Sequence, residues 1–142
     1  MINAKDFIDI YNKTNKWKHD INYSVFPLIY EVTEDCGGMY TCEPYKTKLL
    51  EVWRFSNIKV SKLSAKAIIE IFEEYVANND FVGADLAKKY LRAGSTKRAV
   101  PEECKKYFKS AYKKVEKNLN YSLLRKTFIE RKKIESKKNE KR

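Results

Sequence analysis

Asp80-Phe-Val-Gly-Ala-Asp-Leu-Ala-Lys-Lys-Tyr-Leu-Arg-Ala-Gly94 is the stretch whose reading decides the fold. Asp80 or Gly83 can open a helix here. Asp85 falls in the first turn, where the macrodipole favours an anion, and Lys88, Lys89 and Arg92 gather toward the end, where it favours cations. Gly94 supplies a left-handed residue that stops the helix. Leu86, Ala87, Tyr90 and Leu91 form an apolar stripe at helical spacing, which predicts one buried face and turns both lysines toward water.

Working outward, Leu63, Ala67, Ile68, Ile71, Phe72, Tyr75 and Val76 recur at three- and four-residue steps with Lys66, Glu70, Glu73 and Glu74 opposite them. That is a long amphipathic helix from Ser61, ended by Asn78-Asn79-Asp80 and joined to the next by a tight connection. On the other side, Ser95 to Val100 reads as a basic loop. Pro101 with Glu102 and Glu103 then makes a helix opening, with proline at the first position and acids in the first turn. Cys104, Phe108, Ala111, Val115 and Leu119 carry that helix. After Asn118 and Asn120, Leu123, Leu124, Phe128 and Ile129 carry a further one.

The first third reads differently. Asn3 caps a short helix with an apolar side of Phe7, Ile10 and Tyr11, ending near Asn12–Asn15, and Trp17 to Pro27 reads as an ordered loop over the core. Leu28–Val32 and Met39–Tyr45 have strand character, and the Thr33–Gly38 segment between them supplies turn residues, so a β-hairpin is expected. Pro44 confines the second strand's end to an edge or a turn, and Tyr45–Phe55 gives a mixed signal that fits a third strand or a turn of helix, with extended structure expected near Trp53. The predicted fold class is α+β: a mostly helical single domain over residues 1–130 with a small antiparallel β-hairpin or sheet packed on the helices, and a basic, frayed tail over 131–142.

Composition bounds function. The chain has 142 residues, 43% of them apolar and 13% aromatic, enough for one core without staples. No apolar run approaches the roughly 20 residues that span a bilayer, and the N-terminus shows no signal-peptide pattern, so an intracellular, cytoplasmic protein is expected. Cys36, Cys42 and Cys104 read as reduced thiols, and with His19 the only histidine a zinc site is not expected. No cofactor or metal is expected, and no catalytic residue is assigned. His19 has no triad-like context, and Gly37-Gly38 is a turn without the Lys-Ser/Thr of a phosphate loop.

The net charge of +11 is unevenly placed: residues 1–85 hold 10 Lys/Arg against 13 Asp/Glu, and residues 86–142 hold 20 against 6. Such asymmetry points to a polyanionic partner, nucleic acid first, against the plain alternative of a solvated surface. The candidate phosphate contacts are Lys88, Lys89, Arg92, Lys97, Arg98, Lys105, Lys106 and Lys109, with Tyr90, Tyr107 and Tyr112 among them. A helix-turn-helix with Gly94 in its turn is a weaker variant of the same idea. A second set, Tyr45, Lys46, Arg54, Asp80 and Asp85, is a possible polar site, with Arg54 expected to pair with Asp80 or Asp85 because an unpartnered buried charge is costly. A small enzyme acting on nucleic acid or nucleotides through Tyr45, Lys46, Arg54 and Asp85, or a protein-protein adaptor, are the alternatives to nucleic-acid binding.

Several ordered motifs carry a resemblance. Glu-Pro-Tyr-Lys (43–46), Trp-Arg-Phe (53–55), Ser64-Ala65, Phe72-Glu-Glu-Tyr75, the 80–91 run and Thr96-Lys-Arg98 resemble domain of unknown function 4385 over roughly Phe26 to Tyr121. The resemblance implies an uncharacterised family of phages, large DNA viruses and microbes, and it lends no catalytic residues. The chain departs from the family pattern at Asp35-Cys-Gly-Gly38 and in the shortened basic segment Lys97-Arg98-Ala99.

Overall fold

The computed structural model describes residues 3–7 and 17–140. The predicted end of the first helix, with Ile10 and Tyr11, lies outside the described residues; its start is present, with Asn3 Oδ1 accepting the Asp6 N–H at 2.8 Å. The remaining helices are α1 (Tyr45–Val52), α2 (Ile58–Ala77), α3 (Phe81–Thr96), α4 (Glu102–Glu116) and α5 (Leu119–Glu140), preceded by one 3-10 turn at Pro27–Ile29.

α3 is the axis of the molecule. It packs against α1, α2, α4 and α5, and twelve of its sixteen residues are buried. A helix surrounded on every side needs small residues where its neighbours come closest. A Cβ on Gly94 would collide with the Phe108 ring of α4, and one on Gly83 would stand 2.7 Å from the Tyr75 ring of α2. Gly94 is therefore not a stop signal. The helix passes through it to Thr96, and the glycine is there for clearance. Asp85 likewise lies beyond the first turn, and Lys89 does not face water: it is 3% exposed.

The joint between α2 and α3 follows the sequence reading. Asn79 takes φ +58°, Asp80 N–H reaches back to Tyr75 O at 2.8 Å, and Asn79 N–H reaches Val76 O at 3.0 Å. This is the paired bonding that closes a helix with a left-handed residue. Asp80 then caps α3 at once, its Oδ1 accepting Gly83 N–H at 3.0 Å. Asn118 caps α5 in the same way, accepting Tyr121 N–H at 2.9 Å. Phe72, Leu86 and Leu91, predicted core positions, are 0–1% exposed.

The expected β-hairpin is absent, and the fold is all-helical rather than α+β. Among the described residues the one β pairing is an isolated parallel bridge between Asn22 and Glu43. The reason lies in where the backbone donors go. Pro27 opens a 3-10 turn whose last bond is Tyr30 N–H to Pro27 O, while Met39, Thr41, Cys42 and Lys46 donate to Cys36, Gly38, Gly38 and Cys42. Those N–H groups are spent within turns, leaving no ladder to form. Tyr30, Met39, Cys42 and Tyr45 are all buried, so their strand-like character reflects burial alone. Tyr45 to Val52, which the sequence leaves open between a third strand and a turn of helix, is helix α1, with Glu43 accepting both the N–H and the hydroxyl of Thr47 at 2.8 and 2.6 Å. The backbone is extended at Trp53, as expected.

The segment from Trp17 to Pro44 wraps α3 as loops and turns. Its side chains meet those of α3 and α5 in an aromatic cluster. Tyr30 lies edge-on to Phe81 and Phe128, and Phe81 stacks on Tyr121 at 5.8 Å between centroids. α5 runs through residue 140, and within the expected tail Lys132 Nζ donates to Tyr30 O at 2.6 Å.

Candidate functional site

Three places gather the residues singled out by the sequence. The first is sealed inside. Asp85, on the buried side of α3, accepts hydrogen bonds from both the Tyr30 and the Tyr121 hydroxyl, the latter at 2.5 Å. Lys89, one turn on, stands 3.8 Å from the same carboxylate and donates to Thr33 Oγ1 at 3.0 Å and Gly37 O at 2.7 Å. Its ammonium also lies over the Trp17 and Tyr30 rings at 5.0 and 4.9 Å. Burial pushes the lysine below its usual range, opposed by the Asp85 charge, and burial followed by the same carboxylate pushes both tyrosines above theirs.

Every strong group in this cluster is committed to another. The adjoining cleft has room for about one water, roughly 20 Å³. With no space for a substrate, the cluster works as a strut that pins residues 17–37 to α3 and α5. Lys89, offered as a phosphate contact, belongs to this strut.

The second place is an open cleft of about 580 Å³ beside the α2–α3 joint. Tyr45 and Asp80 both line it, the hydroxyl donating to Asp80 Oδ2 at 2.7 Å; burial, then this bond, raises the phenol above its usual range. Arg131 and Thr127 of α5 form the opposite wall. The rest of the expected polar set is elsewhere. Arg54 is exposed and donates Nε–H to Glu51 O at 3.2 Å, touching neither Asp80 nor Asp85, and Lys46 does not join them. Arg54 sits beyond the C-terminus of α1, pointing back to that helix's own last carbonyls, where a cation is favourable without a carboxylate.

The third place is the outside of α4 and the end of α3. Lys97 and Arg98 are exposed in the loop after α3; Lys88 and Arg92 are half-buried, Lys88 over the Tyr121 ring at 4.8 Å and Arg92 bonded to Glu34 O. Lys105 is tied to Glu102 at 2.6 Å. Lys106, Lys109, Lys113 and Lys117 are exposed, opposite the buried Cys104, Phe108, Ala111 and Val115, and none has a carboxylate partner among the described residues. Lys113 and Lys117 escaped the sequence reading, although successive four-residue steps from Lys109 place them on one stripe with Lys106, about 16 Å long at 1.5 Å per residue. A helix-turn-helix is not formed, because Gly94 is helical and residues 97–101 make the connection.

Among the described residues no helix is long and apolar enough to cross a membrane, and the three cysteines are free. Comparison with curated proteins and with solved structures finds no match. The family model for a domain of unknown function, DUF4385, matches residues 13–101, more than half of the chain and the span that holds α1 to α3, Asp85 and Lys89, so the chain belongs to the DUF4385 family.

Proposed function

We propose that this is an intracellular, non-enzymatic protein that binds nucleic acid through the phosphate backbone, using the outer stripe of α4 and the basic loop after α3. The supporting observation is the row Lys106, Lys109, Lys113 and Lys117, exposed and without carboxylate partners among the described residues, beside Lys97 and Arg98. Unpaired, hydrated cations at helical spacing keep their full charge for an outside anion, and inside cells the commonest extended polyanion is nucleic acid. Against an enzyme acting on nucleotides stands the scattering of Tyr45, Lys46, Arg54 and Asp85 over separate parts of the surface and core.

Binding of this kind is nearly independent of sequence and falls steeply with salt, since each phosphate neutralised on duplex DNA releases about 0.9 counterion. The test is a salt titration of affinity for a duplex, comparing the native chain with a variant in which Lys97, Arg98, Lys106, Lys109 and Lys113 are all Ala. The variant should keep its fold, bind more weakly and show a flatter salt slope. Absence of binding at low salt, or binding that survives the five changes intact, overturns the reading.

A further inference from the structure

The 580 Å³ cleft is built unlike the basic stripe. Its floor is aromatic, Phe81 and Phe128 with ring centroids 4.8 Å apart, and its rim carries the exposed amides of Asn78 and Asn79 on one side and Thr127 and Arg131 on the other. The carboxylate in it, Asp80, has one oxygen on Gly83 N–H and the other on the Tyr45 hydroxyl. Arg131 is exposed with no carboxylate partner among the described residues, whereas on the same helix Arg125 is paired with Glu34 and Lys132 with Glu31. Arg131 and Pro27 also wall a second cavity, of about 310 Å³, at whose edge Phe26 and Val25 are 56% and 62% exposed.

Taken in order along the surface, these groups are an apolar slot rimmed by amides, a free guanidinium, and an exposed aromatic ring. A flat heteroaromatic ring with a polar edge fits the slot, an anion fits the guanidinium, and a second flat ring fits Phe26. We infer that the cleft and the Phe26 ledge bind unpaired nucleotides of a single strand, one base entering the cleft, the linking phosphate on Arg131 and the neighbouring base stacked on Phe26. Single-strand binding sites combine these two elements, a stacking surface and a cation that follows the backbone. A duplex cannot use the site, because its bases are stacked inside the helix and reach a pocket only by being flipped out.

The assignment rests on the phosphate-binding reading above and narrows its partner. Charge complementarity selects a strand over an apolar peptide: the free Arg131 stands between the two cavities, where an apolar peptide has no anion to offer it.

The test measures affinity by fluorescence anisotropy for a pyrimidine 12-mer, the duplex of the same length and an abasic 12-mer, all at one low salt concentration, with the native chain, Phe26→Ala and Thr127→Trp. Both changed residues are exposed, so neither change removes a core contact, and circular dichroism checks the fold. The single strand should bind more tightly than the abasic strand. Phe26→Ala should weaken single-strand binding about fivefold to a hundredfold, the range measured for one lost base stack, and leave duplex binding unchanged. Thr127→Trp, which fills the cleft, should also act on the single strand alone. Equal affinity for the based and abasic strands, or equal effects of Phe26→Ala on single strand and duplex, overturns this assignment while leaving phosphate binding by α4 standing. Saturable binding of a free mononucleotide with no gain on lengthening to the 12-mer overturns it in favour of a small-nucleotide pocket. No binding to any of the three overturns both readings.

Discussion

Two helices of this molecule carry nearly the same short phrase. In α3 it is Ala87-Lys-Lys-Tyr-Leu91 and in α4 it is Cys104-Lys-Lys-Tyr-Phe108. The outer members behave alike, since Leu91 and Phe108 are both fully buried. The second lysine and the tyrosine do not. Lys89 is 3% exposed and tied into the strut, and Tyr90 is sealed with its hydroxyl on Met39 O; Lys106 is in water and Tyr107 is half-exposed under Lys62 and Lys106. Local spacing decides one face of a helix, and the number of neighbours decides whether there is another. α3 has Gly83, Ala84, Ala87, Ala93 and Gly94 to admit neighbours on its remaining sides, while α4 offers Glu102, Glu103 and lysines there.

The sharpest way to break this comparison is to make the same change in both phrases. Lys89→Met should cost about 3–5 kcal/mol, because it leaves the Asp85 charge buried without its cation, while Lys106→Met should leave the urea midpoint where it is. Equal effects would mean that the strut carries no weight. Tyr121→Phe, which removes one of the two hydroxyls on Asp85, is expected to cost about 1–3 kcal/mol by equilibrium unfolding, less than losing the lysine because Tyr30 remains. Gly94→Ala should also destabilise by about 1–3 kcal/mol, since Phe108 occupies the space a methyl needs; a raised melting temperature would instead mark the glycine as ordinary helix-interior glycine.

Alkali should separate the interior from the surface more gently. Burial raises the Cys42 thiol from 9.0 to about 12 and lifts Tyr30, Tyr90 and Tyr121 above 10.0. These groups keep their protons in the folded chain after the unfolded chain has lost them, so their contribution is intact below pH 9 and is lost as pH rises from about 9 upward. Lys89, lowered by burial, acts in the opposite sense as pH climbs toward 10.5, one group against several. Urea midpoints measured from pH 8 to 11 should fall, and Cys42→Ala should flatten the first part of that fall. The smallest effect belongs to Arg54→Ala, within about 0.5 kcal/mol in a thermal melt, because the side chain meets only a backbone oxygen at the surface.

The same contrast explains what could be read from the chain beforehand. Asp80, the Asn78-Asn79 joint, Asn118 and the opening after Pro101 were legible because caps and breaks are written within four residues. The burial of Lys89 was not, because periodicity assigns one wet face to any helix with a single apolar stripe; the run of glycines and alanines around it was the available signal. The hairpin failed for a related reason. Tyr30, Met39 and Tyr45 have the residue types of strands, but their partners are α3 and α5, far along the chain, and pairing over such distances leaves no local mark. Of the candidate sites, Lys106 and Lys109 were picked out by charge while Lys113 and Lys117 of the same stripe were missed, Tyr45 and Asp80 share a cleft, and Phe26 and Arg131 were invisible because they come together only in three dimensions.

The Asp85 strut also says something about inheritance. Its carboxylate lies within the span shared with the family, residues 13–101, yet one of its two hydroxyl donors, Tyr121, comes from beyond it, as does Phe108, which fills the notch at Gly94. The unit that recurs between proteins and the unit that folds are therefore different lengths here. An expression fragment trimmed to the shared span would leave an acid and an apolar notch open to water.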